Sequence, residues 1–214
     1  MIIDIHTHTS LNSDDSILEI EELIYEAKRV GLDGICVTDH DRFWASDELA
    51  KLSKLHKFLV IPGCEITTNE GHMLVYGLKE YVFGMHRASF VKKLIDTAGG
   101  ISVVAHPYRR IYLEDDDVGS DAYDVMLERA STNPMILYTD AVEVLNSRGT
   151  QRENAFANDV AEKFGKPSTG ASDAHRPEDL GKFATEFHCP INGLEDFISE
   201  FKSKRFHKIT LNGV

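Results

Sequence analysis

The chain has 214 residues and a formal net charge of −12, from 23 basic and 35 acidic side chains. That length suits one α/β domain with a sizeable core, and the acidic balance argues against a life on nucleic-acid backbone or anionic membrane, which attract basic faces. A small anionic substrate stays compatible, because bound divalent cations reverse the sign locally. The three cysteines, Cys36, Cys64 and Cys189, show no CxxC spacing, so neither a disulfide framework nor a thiolate zinc site is expected. No apolar run approaches the ~18 residues of a membrane span, and no basic-then-apolar leader pattern opens the chain. A cytoplasmic protein is the default expectation.

Ile2, Ile3 and Ile5 are apolar and β-branched, and the run passes into His6 and His8. Residues two apart on a strand face the same side, so both imidazoles can meet one metal ion. Thr9 to Asp15 reads as a polar loop. Ser16 with Glu19 has the capping-box form, and Ile17, Ile20, Ile24 and Ala27 follow at helical spacing until Gly31. A strand over Gly34–Val37 ends in Thr38-Asp39-His40-Asp41, which completes a βαβ unit. A helix over Ser46–His56 precedes a strand, Phe58–Ile61, that ends in Pro62-Gly63-Cys64-Glu65. Thr67–Gly71 is a turn-rich link, either a crossover or a hairpin, before a strand over His72–Tyr76. A helix over Met85–Ala98 stops at Gly99-Gly100, and a strand over Ile101–Ala105 ends in His106-Pro107.

The acidic run Glu114–Asp117 reads as a solvated loop or part of a lid. A helix around Ala122–Ala130 leads to a strand, Ala141–Leu145, that ends in Asn146-Ser147-Arg148-Gly149. The helix Gln151–Phe164 places Phe156, Val160 and Phe164 on one face, and a strand over Ser168–Ala171 ends in Ser172-Asp173-Ala174-His175. A short strand at Ala184–Phe187 and an amphipathic helix at Leu194–Lys202 close the domain.

His6, His8, His40, Glu65, His106, Asp173 and His175 each fall at or just past the end of a predicted strand. Alternating βα units without a GxGxxG turn predict a parallel barrel and not a dinucleotide fold, and in a βα barrel those ends share one rim. Singly, each residue has packing as its ordinary explanation. Together they favour a metal centre, since five of the chain's ten histidines gather there. His72 reaches the same rim if its strand runs antiparallel to its neighbour. With a loop aspartate the set is all nitrogen and oxygen. It is too large for one ion and suits zinc, manganese or iron.

The ordered motifs His6-Thr7-His8, Ser13-Asp14, Thr38-Asp39-His40, Gly63-Cys64-Glu65, His72, His106-Pro107 and Asp173-Ala174-His175 resemble the PHP (polymerase and histidinol phosphatase) family along essentially the whole chain. The segments 142–146 and 170–175 are similar to its small stand-alone phosphoesterases. The resemblance implies an α/β fold, a distorted TIM-like (β/α)7 barrel, with residues 1–214 as a single domain. It also implies a trinuclear metal centre. One ion takes His6, His8, Glu65 and Asp173; a second takes His72 and His106 and shares Glu65; the third takes Asp14, His40 and His175. The loop before Asp14 is one residue longer than the family's common form, so Asp15 stands as the alternative ligand. The chain has no room for the inserted domain many relatives carry, which implies a shallow pocket or one completed by a partner chain.

The implied activity is hydrolysis of a small phosphate ester, such as a nucleotide or histidinol phosphate, by a metal-bound hydroxide. Arginine suits the non-bridging oxygens. Arg109 and Arg148 lie on the predicted rim, and Arg42 and Arg176 follow metal motifs. Trp44 either lines the pocket or packs, and Asp4 shares the face of His6 as support or packing. The expected cofactors are divalent Mn, Fe or Zn, and the expected partner is a small phosphorylated substrate. No membrane and no extended nucleic-acid surface is expected, and oligomerisation stays open. Two rival classes remain. An amidohydrolase-type C–N hydrolase would ordinarily use a bridging lysine, and none sits at a predicted strand end. A non-catalytic PHP regulatory module is the other.

Overall fold

The computed structural model describes residues 1–110, 120–130 and 132–211; the acidic run 114–117 lies outside them. β1 (Ile2–Thr7), α1 (Ile20–Arg29), β2 (Gly34–Val37), α2 (Ser46–His56) and β3 (Leu59–Pro62) make two successive parallel βαβ steps. β4 (Cys64–Thr68) and β5 (Gly71–Tyr76) form an antiparallel hairpin in which Glu65 faces Leu74 and Thr67 faces His72. α3 (Ala88–Ala98) leads to β6 (Ile101–Val104), which is antiparallel to β5. α4 (Asp121–Ala130), α5 (Pro134–Tyr138), β7 (Ala141–Asn146), α6 (Gln151–Lys163) and β8 (Ser168–Ala171) follow, and β6, β7 and β8 are parallel. β9 (Phe183–Phe187), α7 (Leu194–Lys202) and β10 (Phe206–Thr210) end the fold, with β9 antiparallel to both β1 and β10.

The ladders form two five-stranded sheets, β10-β9-β1-β2-β3 and β4-β5-β6-β7-β8. The expected mixed α/β architecture is present, but among the described residues no continuous ladder joins the sheets into one ring. They touch instead through isolated parallel bridges, Thr7 with Ala174 and His40 with Glu65. Both bridges sit beside the clustered histidines.

Local chemistry explains the departures from simple βα alternation. Only Asn69 and Glu70 separate β4 from β5, far too short for a parallel crossover. The Thr68 hydroxyl donates to Gly71 O at 2.6 Å and closes the turn, with Gly71 at φ 133°. This reversal brings the start of β5, with His72, to the end that carries Glu65. Gly63 makes the approach to β4 possible, since a Cβ there would lie 2.8 Å from the Tyr76 ring and 2.9 Å from Thr38 Cγ2.

The capping box expected at Ser16 does not form, and α1 begins a turn later with Glu19 as its N-cap. The Ser16 hydroxyl is shared between His8 O at 3.1 Å and His175 O at 3.3 Å. It therefore ties the loop to two histidine motifs, and its oxygen accepts from Leu18 N at 3.3 Å ahead of the helix. A capping box does form at Thr150 and Glu153, at the head of α6. α5 and β10 were not legible as periodic runs. α5 starts where Asn133 accepts from Met135 N at 2.9 Å, beside Pro134.

Three apolar clusters hold the layers. One draws Ile3, Ile5 and Ile61 from the first sheet, Leu74 and Val103 from the second, and Phe197 and Phe201 from α7. The second packs α3, α5 and α6 on the second sheet through Val91, Met135, Phe156 and Val160. The third packs α1 and α2 on the first sheet through Leu23, Ile24 and Leu49. None of the described helices is long and apolar enough to cross a membrane.

Candidate metal centre

β1 carries His6 and, one residue past its end, His8; both are fully buried. β4 supplies Glu65 from within a strand, not from the turn after one as the sequence suggested. Asp173 comes from the turn after β8, where it holds a left-handed φ of 56° and donates its N–H to His6 O at 2.9 Å. His6 Nε2 lies 3.2 Å from Glu65 Oε2 and 3.4 Å from Asp173 Oδ1; His8 Nε2 lies 3.2 Å from each. A tetrahedral ion with bonds of about 2.0–2.1 Å has ligand–ligand edges of about 3.3–3.4 Å, so the spacing matches.

The hydrogen bonds on the far side of each ring decide what these atoms present. His6 Nδ1 donates to Glu143 Oε1 at 2.9 Å. The Ser13 hydroxyl gives its one proton to Asp39 Oδ1 at 2.7 Å, so its oxygen accepts from His8 Nδ1 at 3.2 Å. In the neutral rings, therefore, both Nε2 atoms carry lone pairs. His6 Nε2, His8 Nε2, Glu65 Oε2, Asp173 Oδ1 and His175 Nε2 are all buried without a hydrogen-bond partner. Converging acceptor lone pairs are costly to bury unless a cation joins them. The donor set thus fits a divalent metal ion.

Two further groups adjoin this one. His40, Glu65 and His72 can share an ion, as can His8, His40 and His175. Glu65 joins the groups: Oε1 faces His72 Nδ1 at 2.8 Å and His106 Nε2 at 3.0 Å, while Oε2 faces His40 Nδ1 at 3.1 Å. His106 lies two residues past β6 and sits at φ 26°, a conformation L side chains rarely adopt. Strain of this kind costs on the order of 1–3 kcal/mol and tends to collect at functional sites.

The electrostatics follow the geometry. Burial opposes ionisation of Glu65 and Asp173, but the surrounding histidines, His6 foremost, hold both carboxyls well below the ordinary range. Burial likewise opposes protonation of His6, yet Glu143, Asp173 and Glu65 outweigh it and raise its pKa well above the usual value; His8 is raised as well. Burial pushes His175 down to about 4 and lowers His40. Asp4, whose Oδ1 accepts from His6 N at 3.2 Å and Ser172 N at 3.1 Å, is pushed by burial up to about 7. It supports the β1 backbone beside the centre.

The loop aspartate is a correction. Asp14 is exposed, and its side chain makes no contact with the centre among the described residues. Asp15 instead brings Oδ2 to 3.0 Å from His175 Nε2 and Oδ1 to 3.6 Å from His40 Nε2. The extra loop residue, with Ser13 pinned to Asp39, turns the second aspartate inward. Arg109 Nη1 donates to Asp173 Oδ2. Arg148 Nη1 lies 2.7 Å from His175 Nδ1 and 3.9 Å from Asp173 Oδ1. Arg42 lines an outlying depression with Phe43 and Tyr81, and Arg176 is exposed. Trp44 donates to Asp39 Oδ2 at 2.7 Å and packs on the α1–α2 cluster, which is a structural role.

Glu143, Asp39, Ser13 and Asn146 were missed by sequence reasoning. Ser13 and Asp39 fall within the Ser13-Asp14 and Thr38-Asp39-His40 motifs but were given no role of their own; for Glu143, a charge within an otherwise apolar strand is the signal that could have found it. A pocket of about 260 Å³ opens beside the centre, lined by His72, His106, Tyr108, Arg109, Arg110 and Asn133 among others.

Comparison with known proteins gives a consistent picture. The family model for the PHP domain matches residues 4–146, and the PHP-associated model matches residues 151–206. A probable phosphatase of Caldicellulosiruptor bescii is 26% identical over 236 aligned positions, spanning 94% of this chain and 97% of the relative. A two-domain protein of Bacteroides vulgatus, described as containing a PHP-like metal-dependent phosphoesterase, superposes with a TM-score of 0.68 at 18% identity, over 99% of this chain and 65% of that one. An amidohydrolase of Chromobacterium violaceum, with bound sulfate and no metal, superposes with a TM-score of 0.62 at 15% identity, over 97% of each chain. At such identities the two solved structures speak for the fold alone. The PHP match spans well over half of the chain and includes the motifs that build the centre through Asn146: the chain belongs to the PHP domain family.

Proposed function

We propose that this chain is a metal-dependent phosphoesterase that hydrolyses a small phosphate ester, such as a nucleotide or histidinol phosphate. The observation that carries the reading is the convergence of unpartnered acceptor atoms from His6, His8, Glu65 and Asp173. The overlapping groups support three divalent ions. His6, His8, Glu65 and Asp173 would hold the first, and His72 and His106 with Glu65 the second. His40 and His175 would hold the third, with Asp15 in the place expected for Asp14. The donor chemistry suits Mn, Fe or Zn. When bound, such ions supply Lewis acidity, which lowers the pKa of water and offsets charge on a phosphoryl group.

The chain's own residues do the rest. Arg109 and Arg148 reach the centre from the β6 and β7 ends, and their guanidinium forks bind the non-bridging oxygens. The pocket beside His72 and His106 receives the organic part of the ester, and its 260 Å³ favours a small molecule over an extended nucleic acid. The two sheets with their isolated bridges constitute a distorted barrel. Residues 1–214 act as one domain, since Asp173 and His175 come from the PHP-associated stretch. The free state of Cys36, Cys64 and Cys189 fits a cytoplasmic location.

A carbon–nitrogen hydrolase is the second reading, favoured by the amidohydrolase named among the structural neighbours. Against it, no lysine contacts Glu65 or Asp173 among the described residues. The test pairs metal analysis of protein purified without chelator with phosphate release from a panel of monoesters and diesters. Release stimulated by Mn²⁺, Fe²⁺ or Zn²⁺ and abolished by His8→Ala is expected. Metal-replete protein inert towards every ester would sink the proposal.

A further inference from the structure

Glu143 lies on β7, 1% exposed, and is not one of the residues whose lone pairs converge. Its two oxygens do separate jobs. Oε1 accepts from His6 Nδ1 at 2.9 Å. Oε2 accepts from the His106 backbone N–H at 2.7 Å and from Asn146 Nδ2 at 3.0 Å. The Asn146 amide cannot rotate away, because its own Oδ1 accepts from Arg148 N at 3.0 Å. An ionised carboxylate accepts at both oxygens. A neutral His6 ring therefore keeps its proton on Nδ1, and its Nε2 lone pair faces Glu65 Oε2 at 3.2 Å and Asp173 Oδ1 at 3.4 Å.

We propose that Glu143 is a positioning residue that fixes the His6 tautomer and thereby sets the occupancy of the four-ligand site, while leaving the outer groups nearly untouched. The proposal rests on the metal-centre reading above and deepens it. Outer histidines take their orientation elsewhere: His40 and His72 make no contact with Glu143. Metal-ligating histidines held by a carboxylate on the second nitrogen lose about ten- to hundredfold in metal affinity when that partner is removed.

Glu143→Gln isolates the effect because it keeps the shape and removes one acceptor. Two donors, His106 N–H and Asn146 Nδ2, hold the amide oxygen at the Oε2 position. The amide NH₂ then faces His6 Nδ1, and two donors cannot face each other. His6 must move its proton to Nε2, into the middle of the ligand group, which blocks the ion.

The experiment titrates Zn²⁺ against a chromophoric chelator and reads the histidine ring tautomers by ¹⁵N NMR, on the full chain, for wild type and Glu143→Gln. In the wild type we expect His6 to keep Nδ1–H and ligate through Nε2. In the variant one ion per chain should weaken by about ten- to hundredfold, with the other ions within about twofold and the His6 proton on Nε2. A variant whose ions all weaken alike, or whose His6 tautomer is unchanged, overturns the proposal. If the variant does not fold, the zinc-loaded wild type still decides: His6 ligating through Nδ1, with its proton on Nε2, overturns it. Wild-type protein that binds no zinc at all overturns the metal-centre reading itself, a result distinct from any variant effect.

Discussion

The inner and outer parts of the centre share ligand types but differ in their access to water. His6, His8 and Glu65 are fully buried and Asp173 is 1% exposed, whereas the side chains of His40, His72 and Asp15 are 28%, 33% and 56% exposed. At the inner group the lone pairs have no other partner, so a cation bound there would be part of the folded structure. At His40, His72 and Asp15 water can reach the ligand atoms, so an ion held through them would exchange more freely, although His175 Nε2 is as secluded as the inner atoms. On the proposed reading one centre would hold a structural ion and replaceable ones, the difference coming from burial and not from residue identity.

The largest effect should come from breaking the inner group. His8→Ala is expected to remove the first ion and lower phosphoester turnover by roughly a thousandfold, about 4 kcal/mol, read by metal analysis and phosphate release. Exhaustive chelation comes next. Withdrawing metal held at a thousandfold above its dissociation constant removes about 4 kcal/mol of stability. For a chain of this size each kcal/mol moves Tm by roughly 2–4 °C. A fall on the order of 10 °C is therefore expected by calorimetry, and an unchanged Tm would contradict the inner-group reading.

Outer ligands should give smaller changes. His72→Ala is expected to weaken one ion by roughly tenfold, about 1.4 kcal/mol, while the first ion stays bound; simultaneous loss of every ion would erase the distinction between the two parts. The pH response sharpens the same contrast. Since the folded, metal-free protein holds His6 and His8 above their usual pKa, their protons stabilise it at low pH, and that stabilisation is lost as pH rises through the raised values. Metal must displace those protons, so apparent affinity at the inner site should rise with pH by up to about tenfold per unit for each proton released. The Tm gap between loaded and chelated protein should widen in step. The smallest effect separates the loop aspartates. Asp15→Ala should weaken the outermost ion several-fold in a metal titration, and Asp14→Ala should leave metal content unchanged.

Some of this was legible residue by residue. His6 and His8 lie two apart at the end of a β-branched run, and strand geometry alone puts them on one side. His40 and His106 follow short apolar runs bounded by turn residues, and Asp173 and His175 follow the small-residue run 168–171, so a strand-end position for each was predicted from the sequence. The helices at 46–56 and 194–202 were equally plain, because their apolar spacing is local. Ser16 and Glu19 show where such reading fails. The local pattern offers a cap, but His8 and His175 carbonyls hold the Ser16 hydroxyl, and its oxygen accepts from Leu18 N before α1 begins.

By itself, then, the sequence determined which residue types would serve as ligands and the order in which strands deliver them, because period and spacing act over a few residues. Tertiary structure alone decided which of those ligands are buried together, that Asp15 and not Asp14 turns inward, and that Glu143 holds the far side of His6. Those outcomes depend on contacts between residues more than a hundred positions apart, such as His6 with Glu143 and Ser16 with His175. Burial, hydrogen-bond competition and charge pairing exist only once the two sheets have met.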